Sequence, residues 1–294
     1  MGIKERIDEQ IVERAPWFRR PGPHIRVIRG FLHLLLSYDR TISLAHEMED
    51  WSGPAIMDRM GNDLAQDVEV TGLENIPRHG GAMIVCNHPT GIADGIILWH
   101  LLAKHRPDLF FYANSDMIKV VPQLEPLIAP VEWREDKRSR EKTRATMTYT
   151  RKAMEAGRLG IIFPAGRLAK RRGLRLFERP WMSSAAMIAR KFDVPVIPLN
   201  IRARNSVLFY LFDKIHPSLR DITLFYETLN KAQQPFRVTI GEPISPSALP
   251  KDNDAAIGLL RKATLGLGGR YAPEVSLVDM TRRPSWASRS IGSS

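Results

Sequence analysis

Residues 82–95 read AMIVC followed by NHPTGIADG, an apolar run that leads into a Gly-rich turn. The run predicts a strand, and the turn after it carries His88 and Asp94 close together. Loops at strand ends, held by a rigid sheet, are where catalytic groups collect. A neutral imidazole can take a proton from a hydroxyl, and a nearby carboxylate can fix its tautomer and stabilise the imidazolium. The alternative is a structural turn, in which Asp94 caps the following helix and His88 is a hydrogen-bonded loop histidine.

The sequence after Asp67 alternates between short apolar runs and longer helical stretches. The predicted strands are Val68–Thr71, Ala82–Cys86, Leu109–Ala113, Leu159–Phe163, Val194–Ile201, Ile222–Glu227 and Phe236–Ile240. The predicted helices are Asp94–Lys104, Arg138–Ala156, Pro180–Phe192 and Asp252–Leu267. This alternation predicts an α/β fold, a mostly parallel sheet covered by helices, with the functional site at the strand ends.

Three regions are predicted along the chain: an N-terminal helical, membrane-associating segment (1–62), the α/β domain (63–270) and a C-terminal tail that is disordered at its end (271–294). In the first region, PWFRRP at residues 16–21 breaks the helical pattern, and Ile25–Tyr38 then offers a strongly apolar helix. Trp17 and Phe18 beside arginines are typical of an interfacial anchor at the level of lipid headgroups. For the apolar helix, packing on the main domain is the alternative.

The 294-residue chain carries a formal net charge of +11, which favours anionic partners. Such partners include nucleic acid, an anionic membrane surface, and an acidic carrier or phosphorylated substrate. The single cysteine, Cys86, excludes an internal disulfide, and no metal site is predicted. Met1–Gln10 is charged without an apolar stretch behind it, and no run approaches the roughly 20 apolar residues of a membrane span. We therefore expect a cytoplasmic protein that lies peripherally on the inner face of the membrane.

A second signal is residues 159–167, which read LGIIFPAGR, a buried-looking strand that ends in a Pro-Gly turn. Free backbone N–H groups on such a turn, together with Arg167, can hold a phosphate or a carboxylate. A third loop, PVEWR at residues 130–134, supplies Arg134. The cations that follow the turn, Arg171, Arg172 and Arg175, are interpreted as a solvated basic loop that attracts anions in general.

These motifs occur in an order that resembles a known family. VTGLENIP (residues 70–77) and MIVCNH (83–88) are followed by FPAGR (163–167) and VPVIP (194–198). The order is similar to that of the glycerol-phosphate and lysophosphatidate acyltransferase superfamily, over roughly residues 67–245. In that superfamily a strand leads into Asn-His, four residues and Asp, and a later Phe-Pro-Glu-Gly-Thr-Arg turn binds the phosphate of the acceptor. Several ordered motifs together are far more specific than one alone.

Two departures from the family pattern bear on the acceptor. Five residues, instead of four, separate His88 from Asp94. Ala165 and Arg167 replace the Glu and Thr of the turn, and Leu168 stands where the family has arginine. This variant resembles the lyso-ornithine-lipid and hemolysin-like branch, in which His-Pro-x-Gly-x-x-Asp and Phe-Pro-Ala-Gly are usual. The resemblance implies an amino-acid-headed lysolipid acceptor, with 1-acylglycerol-3-phosphate as the alternative.

The chemistry that the resemblance implies is acyl transfer from an acyl thioester to a lipid hydroxyl. The thioester, on acyl carrier protein or coenzyme A, is a co-substrate, and no cofactor is expected. His88 is the expected general base, with Asp94 orienting the imidazole. Backbone N–H groups near Gly91 or Gly166 are candidates to stabilise the oxyanion. Substrate contacts are expected from Asn87, Gly91, Phe163, Pro164, Gly166, Arg167 and Arg134.

Two other functions are compatible with parts of the sequence. A hydrolase can use the same His88–Asp94 pair to activate water, but no nucleophilic serine motif lies near His88. A nucleic-acid-binding protein is suggested by charge alone, and the basic residues are not interleaved with aromatic residues that stack on bases. We therefore expect no nucleic-acid partner.

Overall fold

The computed structural model describes residues 2–132, 137–272 and 274–277. Within them the strands, in chain order, are β1 (Val68–Thr71), β2 (Ala82–Cys86), β3 (Leu109–Asn114), β4 (Ile128–Val131), β5 (Leu159–Ile162), β6 (Lys170–Arg172), β7 (Arg175–Phe177), β8 (Val196–Arg202), β9 (Phe236–Ile240) and β10 (Glu274–Ser276). Seven of them form the central sheet in the order β1-β9-β8-β2-β5-β3-β4, and the other three form a small sheet in the order β10-β7-β6.

The central sheet is parallel at every pairing except the one between β8 and β9. This arrangement confirms the predicted fold class, a mostly parallel sheet covered by helices. Because β2 lies between β5 and β8, the loop that follows β2 is flanked by the loops of two other strands. Ligand sites in open α/β sheets form at the carboxyl ends of such strands.

The helices of the described residues cover both faces of the central sheet. In chain order they are α1 (Ile3–Arg14), α2 (Pro23–Leu35), α3 (Tyr38–Glu47), α4 (Gly53–Leu64), α5 (Ile92–Leu102), α6 (Asp116–Val120), α7 (Arg140–Glu155), α8 (Ser184–Phe192), α9 (Val207–Ile215), α10 (Pro217–Asn230) and α11 (Asn253–Gly266). None of the helices that the structure describes is long and apolar enough to span a bilayer.

Strand β2 shows why its sequence is an unbroken apolar run. Ile84 and Cys86 belong to the core cluster that also contains Ile97 of α5, on one face of the sheet. Met83 and Val85 belong to a second cluster, with residues of α8 and α11. Since successive side chains point to opposite faces, a strand covered on both sides has to be apolar at every position.

The opposite end of the sheet is held together by a buried arginine. Arg106, which is 1% exposed, donates hydrogen bonds to the carbonyl oxygens of Pro77, Gly80 and Gly157 at 2.7–3.0 Å. It also pairs with both carboxylate oxygens of Asp108, at 2.7 and 2.8 Å. One side chain thus ties together three loops at the end of the sheet opposite to His88.

The prediction of a strand over Ile222–Glu227 is wrong, because these residues lie within α10. A short apolar run has no reliable periodicity, so it fits a strand or a buried helix segment equally well. Pro217 at the first turn of α10 and the His216 side chain, which accepts the Ser218 N–H, fix the start of the helix. The buried positions Ile222, Thr223 and Glu227 then lie on one side of it.

The predicted lipid-facing aromatic residues are placed differently from the expectation. Phe18 is buried in a cluster with Leu32, Phe212 and Ile222, and Trp17 donates its indole N–H to the Ser218 hydroxyl at 3.0 Å. Both residues therefore pack the N-terminal helices onto α9 and α10. Of the predicted tail (271–294), Glu274–Ser276 forms β10, which pairs with β7, and residues 278–294 lie outside the described residues.

Candidate active site

The loops after β2 and β5 bring the two sequence motifs together. Because these strands are parallel neighbours in register, their carboxyl ends at Cys86 and Ile162 lie side by side. His88 comes two residues after β2, and Phe163 comes directly after β5. Their rings stack with centroids 4.2 Å apart, so the aromatic ring fixes one face of the imidazole.

Asp94 is the centre of a hydrogen-bond cluster around the imidazole. Its Oδ2 lies 2.9 Å from Nδ1 of His88, 2.9 Å from the backbone N of Thr90 and 3.0 Å from that of Gly91. Its Oδ1 accepts the Thr90 hydroxyl at 2.5 Å. The Asp94 side chain is fully buried, whereas 19% of the His88 side chain is exposed. The pair is therefore approached from the imidazole side.

The donors around Asp94 decide the tautomer of His88. Two backbone N–H groups and one hydroxyl already point at the carboxylate, which favours its acceptor-only form. Nδ1 of His88 then carries the ring proton and donates it to Oδ2, and Nε2 keeps its lone pair. An imidazole held in this way can accept a proton from a hydroxyl that reaches Nε2.

The cap of α5 and the His88–Asp94 contact share one carboxylate. Asp94 is the third residue of α5, and it accepts the N–H of Gly91, the residue that caps this helix. Gly91 has a φ of +97°, which favours glycine, and a Cβ there would lie 3.1 Å from the Leu168 side chain. The sequence left capping and catalysis as alternatives, and the position of Asp94 is compatible with both, because one carboxylate makes the cap and the contact with His88.

Asn87 and Pro164 have backbone contacts that fix the two loops. Asn87 is 2% exposed, donates its Nδ2 to the Ile201 carbonyl at 2.8 Å and accepts the Ile201 N–H at 2.7 Å. Its side chain therefore attaches the His88 loop to β8 instead of facing a substrate. Pro164 is buried, and its carbonyl accepts the N–H of Met182 at 3.0 Å.

The two glycine amides that the sequence suggests for an oxyanion are already engaged. The Gly91 N–H donates to Asp94, and the Gly166 N–H donates to the carbonyl of Phe163 at 2.9 Å in the turn after β5. Gly166 closes this turn with a φ of +61°. Neither amide is available as an oxyanion donor in this geometry, because each has its partner within the protein.

Two arginines lie next to the turn after β5. Arg167 is exposed on the turn itself, and Arg179 donates its Nε–H to the carbonyl of Leu168 at 2.9 Å. Burial lowers the pKa of Arg179, and the nearby positive charge of Arg167 acts in the same direction. Neighbouring cations of this kind favour an anion beside them. The third predicted cation, Arg134, lies outside the described residues.

The sequence did not indicate Glu178, which is buried against the site. Its Oε2 accepts the backbone N–H of His88 at 3.1 Å, and its Oε1 accepts the indole N–H of Trp181 at 3.0 Å. The only signal was a carboxylate three residues before a tryptophan. Glu178 follows His88 by 90 residues, so only the folded chain brings them together.

Cys86 lies close to His88 in the sequence, but its surroundings are those of a core thiol. The thiol is fully buried in the sheet, and its Sγ lies 3.5 Å from the carbonyl oxygen of Ile162. Burial raises the pKa of the Cys86 thiol well above its ordinary value, which keeps it in the unreactive form.

Residues 67–202, which hold the His88–Asp94 pair and the turn after β5, match the profile of the family described as Acyltransferase. These residues are similar to that family in sequence, as the order of the motifs indicated. A lyso-glycine lipid O-acyltransferase from Phocaeicola vulgatus is 28% identical over 229 residues, which are 74% of this chain and 79% of that protein. These findings confirm the predicted enzyme class, an acyltransferase.

Two further proteins resemble this acyltransferase. A lyso-glycine lipid O-acyltransferase from Bacteroides thetaiotaomicron is 26% identical over 260 residues, which are 85% of this chain and 92% of that protein. The crystal structure of the 1-acyl-sn-glycerophosphate acyltransferase PlsC from Thermotoga maritima covers 92% of this chain and 98% of that chain, with a TM-score of 0.49 and 16% identity.

Proposed function

We propose that this acyltransferase moves a fatty acyl chain from an acyl thioester to the hydroxyl of a lysolipid, in the synthesis of a membrane aminolipid. The observation that carries the proposal is the 2.9 Å contact between Nδ1 of a partly exposed His88 and Oδ2 of a fully buried Asp94. A base held by a buried carboxylate suits the deprotonation of a weakly acidic alcohol.

The proposed reaction has one tetrahedral intermediate and no acyl-enzyme. Nε2 of His88 takes the proton of the acceptor hydroxyl while its oxygen attacks the thioester carbonyl carbon. The new C–O bond forms, the C–S bond breaks as the intermediate collapses, and the imidazolium returns its proton to the leaving thiolate. Asp94 stabilises the positive charge that His88 carries between these two steps.

The acceptor is proposed to carry an amino-acid headgroup with a free carboxylate. Two similar proteins are lyso-glycine lipid O-acyltransferases, and the turn here reads Phe-Pro-Ala-Gly, as in the aminolipid branch. Arg167, with Arg179 beside the same turn, is proposed to pair with the carboxylate. Phe163 and Gly166 shape the surface next to it.

The acceptor is a membrane lipid, and we propose that the enzyme reaches it peripherally, from the cytoplasmic side. Two helices that each contribute to one buried cluster, α2 with Leu32 and α9 with Phe212, also expose apolar side chains to solvent. The exposed side chains, called the apolar face below, are Val27, Ile28, Phe31 and Leu34 of α2 and Val207, Leu211 and Ile215 of α9. The net charge of +11 adds attraction to anionic lipids.

The direct test is acyl transfer by the purified protein, with wild type compared to His88→Ala. Assays pair each donor, acyl carrier protein or coenzyme A thioester, with either a lyso-glycine lipid or 1-acylglycerol-3-phosphate. We expect transfer to the amino-acid-headed acceptor, and a loss of about a hundredfold or more in His88→Ala, the usual contribution of a general base. Wild-type turnover by folded His88→Ala contradicts the mechanism, and preference for 1-acylglycerol-3-phosphate contradicts the acceptor.

Lipid profiling of a deletion strain tests the same proposal in the cell. The expected result is accumulation of an amino-acid-headed lysolipid and loss of its diacylated product. Restoration by the wild-type gene, but not by the His88→Ala gene, assigns the change to catalysis.

A further inference from the structure

Among the residues that the structure describes, Glu178 is the one buried carboxylate outside the His88–Asp94 pair that touches the His88 loop. It lies just after β7, and 8% of the residue is exposed. Both of its carboxylate oxygens are used: Oε2 by the His88 N–H at 3.1 Å and Oε1 by the Trp181 indole at 3.0 Å. A buried carboxylate is costly to maintain, so its contacts call for a functional explanation.

The contact with His88 is to the backbone, at the point where the loop leaves β2. The carbonyl of the same residue accepts the N–H of Ala169 at 2.8 Å, and Asn87 is bonded to β8. The His88 peptide is therefore held on both sides, while the Phe163 ring and Asp94 hold its imidazole. Loss of the contact with Glu178 removes one of the restraints on the His88 peptide.

The charges around Glu178 are of both signs. Burial raises the pKa of Glu178, while the hydrogen bonds from Trp181 and His88 act in the opposite direction. Asp94 raises the pKa of Glu178 further, as expected for two carboxylates that share the same region. Two arginines lie close to it: Arg179, the next residue in the chain, and Arg261 of α11, whose guanidinium donates to the Glu178 carbonyl at 3.4 Å. Arg202 and Glu274 line a small cavity together with Glu178.

We propose that Glu178 is a positioning residue for the acyl transfer proposed above: it fixes the His88 peptide and adds a second carboxylate charge beside the dyad, which stabilises the imidazolium. The charge acts during the interval in which His88 holds the proton of the acceptor hydroxyl. Glu178 touches neither substrate, and its effect passes through His88. A positioning residue of this kind changes the chemical step more than it changes substrate binding.

The test is Glu178→Gln, which keeps the shape of the side chain and removes its charge. We expect kcat to fall about tenfold, with KM for donor and acceptor unchanged within about twofold. We also expect the acid limb of the pH profile of kcat/KM to move by about one unit to lower pH. The sign follows because loss of a nearby negative charge favours the neutral imidazole.

Two further variants keep the proposal testable if Glu178→Gln does not fold. Trp181→Phe removes one donor to the carboxylate, which raises the pKa of Glu178 and so reduces its negative charge. We therefore expect a smaller loss of kcat and a displacement of the pH profile in the same direction. Asp108→Asn is the matched control, since Asp108 pairs with Arg106 at the other end of the sheet. We expect it to lower the melting temperature and to leave the pH profile unchanged.

The proposal is overturned if folded Glu178→Gln, or folded Trp181→Phe in its place, has the kcat and pH profile of wild type. That result makes Glu178 a structural carboxylate only. Failure of the proposed function is distinguishable, because it appears as activity in His88→Ala, whatever the behaviour of the Glu178 variants.

Discussion

Replacement of Asp94 by asparagine is expected to lower activity and stability together. Oδ2 of Asp94 accepts from three N–H groups, those of His88, Thr90 and Gly91, at 2.9–3.0 Å. A hydrogen bond to a charged group contributes about 1 kcal/mol more than a neutral one, so the three bonds together lose about 3 kcal/mol. In a chain of this size, such a loss lowers the melting temperature by about 5–10 °C.

The kinetic effect of Asp94→Asn has a separate cause. An amide has no negative charge, so the His88 imidazolium loses its partner at the moment it holds the proton. We expect kcat to fall by a factor of about 10² or more, which corresponds to about 2.7 kcal/mol of transition-state stabilisation. The KM for the thioester donor should remain within about twofold, since Asp94 is fully buried and the imidazole of His88 lies between it and the proposed position of the substrate.

The assay follows release of the donor thiol colorimetrically, beside thermal unfolding of the same preparations. Thr90→Val is the control, because it removes the hydroxyl that donates to Oδ1 and keeps the carboxylate with its other three donors. It should lose about 1 kcal/mol of stability and keep kcat within a few-fold. If Asp94→Asn lowers only the melting temperature and keeps wild-type kcat, then Asp94 is a helix cap and the reasoning is refuted.

Three further outcomes are expected. Arg167→Ala should raise KM for the acceptor about tenfold and leave KM for the donor unchanged, and equal effects on both would assign the headgroup contact elsewhere. Leu34→Glu and Leu211→Glu, on the apolar face, should each weaken co-sedimentation with vesicles of phosphatidylglycerol and phosphatidylcholine. Met187→Glu, at an exposed position of α8, should leave co-sedimentation with these vesicles unchanged. Binding of the wild-type protein should weaken as the salt concentration rises, without vanishing. Arg106→Met should destabilise the fold by about 3–5 kcal/mol in urea unfolding with wild-type KM, because it leaves the buried carbonyl oxygens and Asp108 without their donor.

The sheet was predictable where a strand is buried on both faces. Ala82–Cys86 and Leu159–Ile162 are continuous apolar runs, and the structure pairs them directly. The sequence of the β6–β7 hairpin, KRRGLRLF, predicts a solvated loop, because half of its residues are charged. Only Leu176 of that stretch is buried, against Val275 of β10, which lies about 100 positions further along the chain. Because this strand pairing depends on one buried residue and on a strand far along the chain, the local sequence contains little pattern that predicts it.

The site divides in the same way between local and non-local information. His88, Thr90, Gly91 and Asp94 lie within seven residues, so one turn determines their contacts and the sequence can indicate them. Glu178 reaches the same histidine only through the packing of β7 beside the His88 loop, and no spacing rule relates residues so far apart. The role of Asn87 was also missed, because its partner is the backbone of Ile201 and carries no residue signature.

The position of Asp94 links the stability of α5 to the chemistry proposed for His88. A carboxylate in the first turn of a helix is favoured by the exposed N–H groups and by the helix dipole, so its charge is stabilised before any substrate binds. The same N–H groups hold Oδ2 at a fixed distance from Nδ1 of His88. Displacement of the Asp94 carboxylate during proton transfer would have to break the cap of α5. The helix therefore restrains the base, and a substitution that loosens the N-terminus of α5 should lower kcat even where the carboxylate remains.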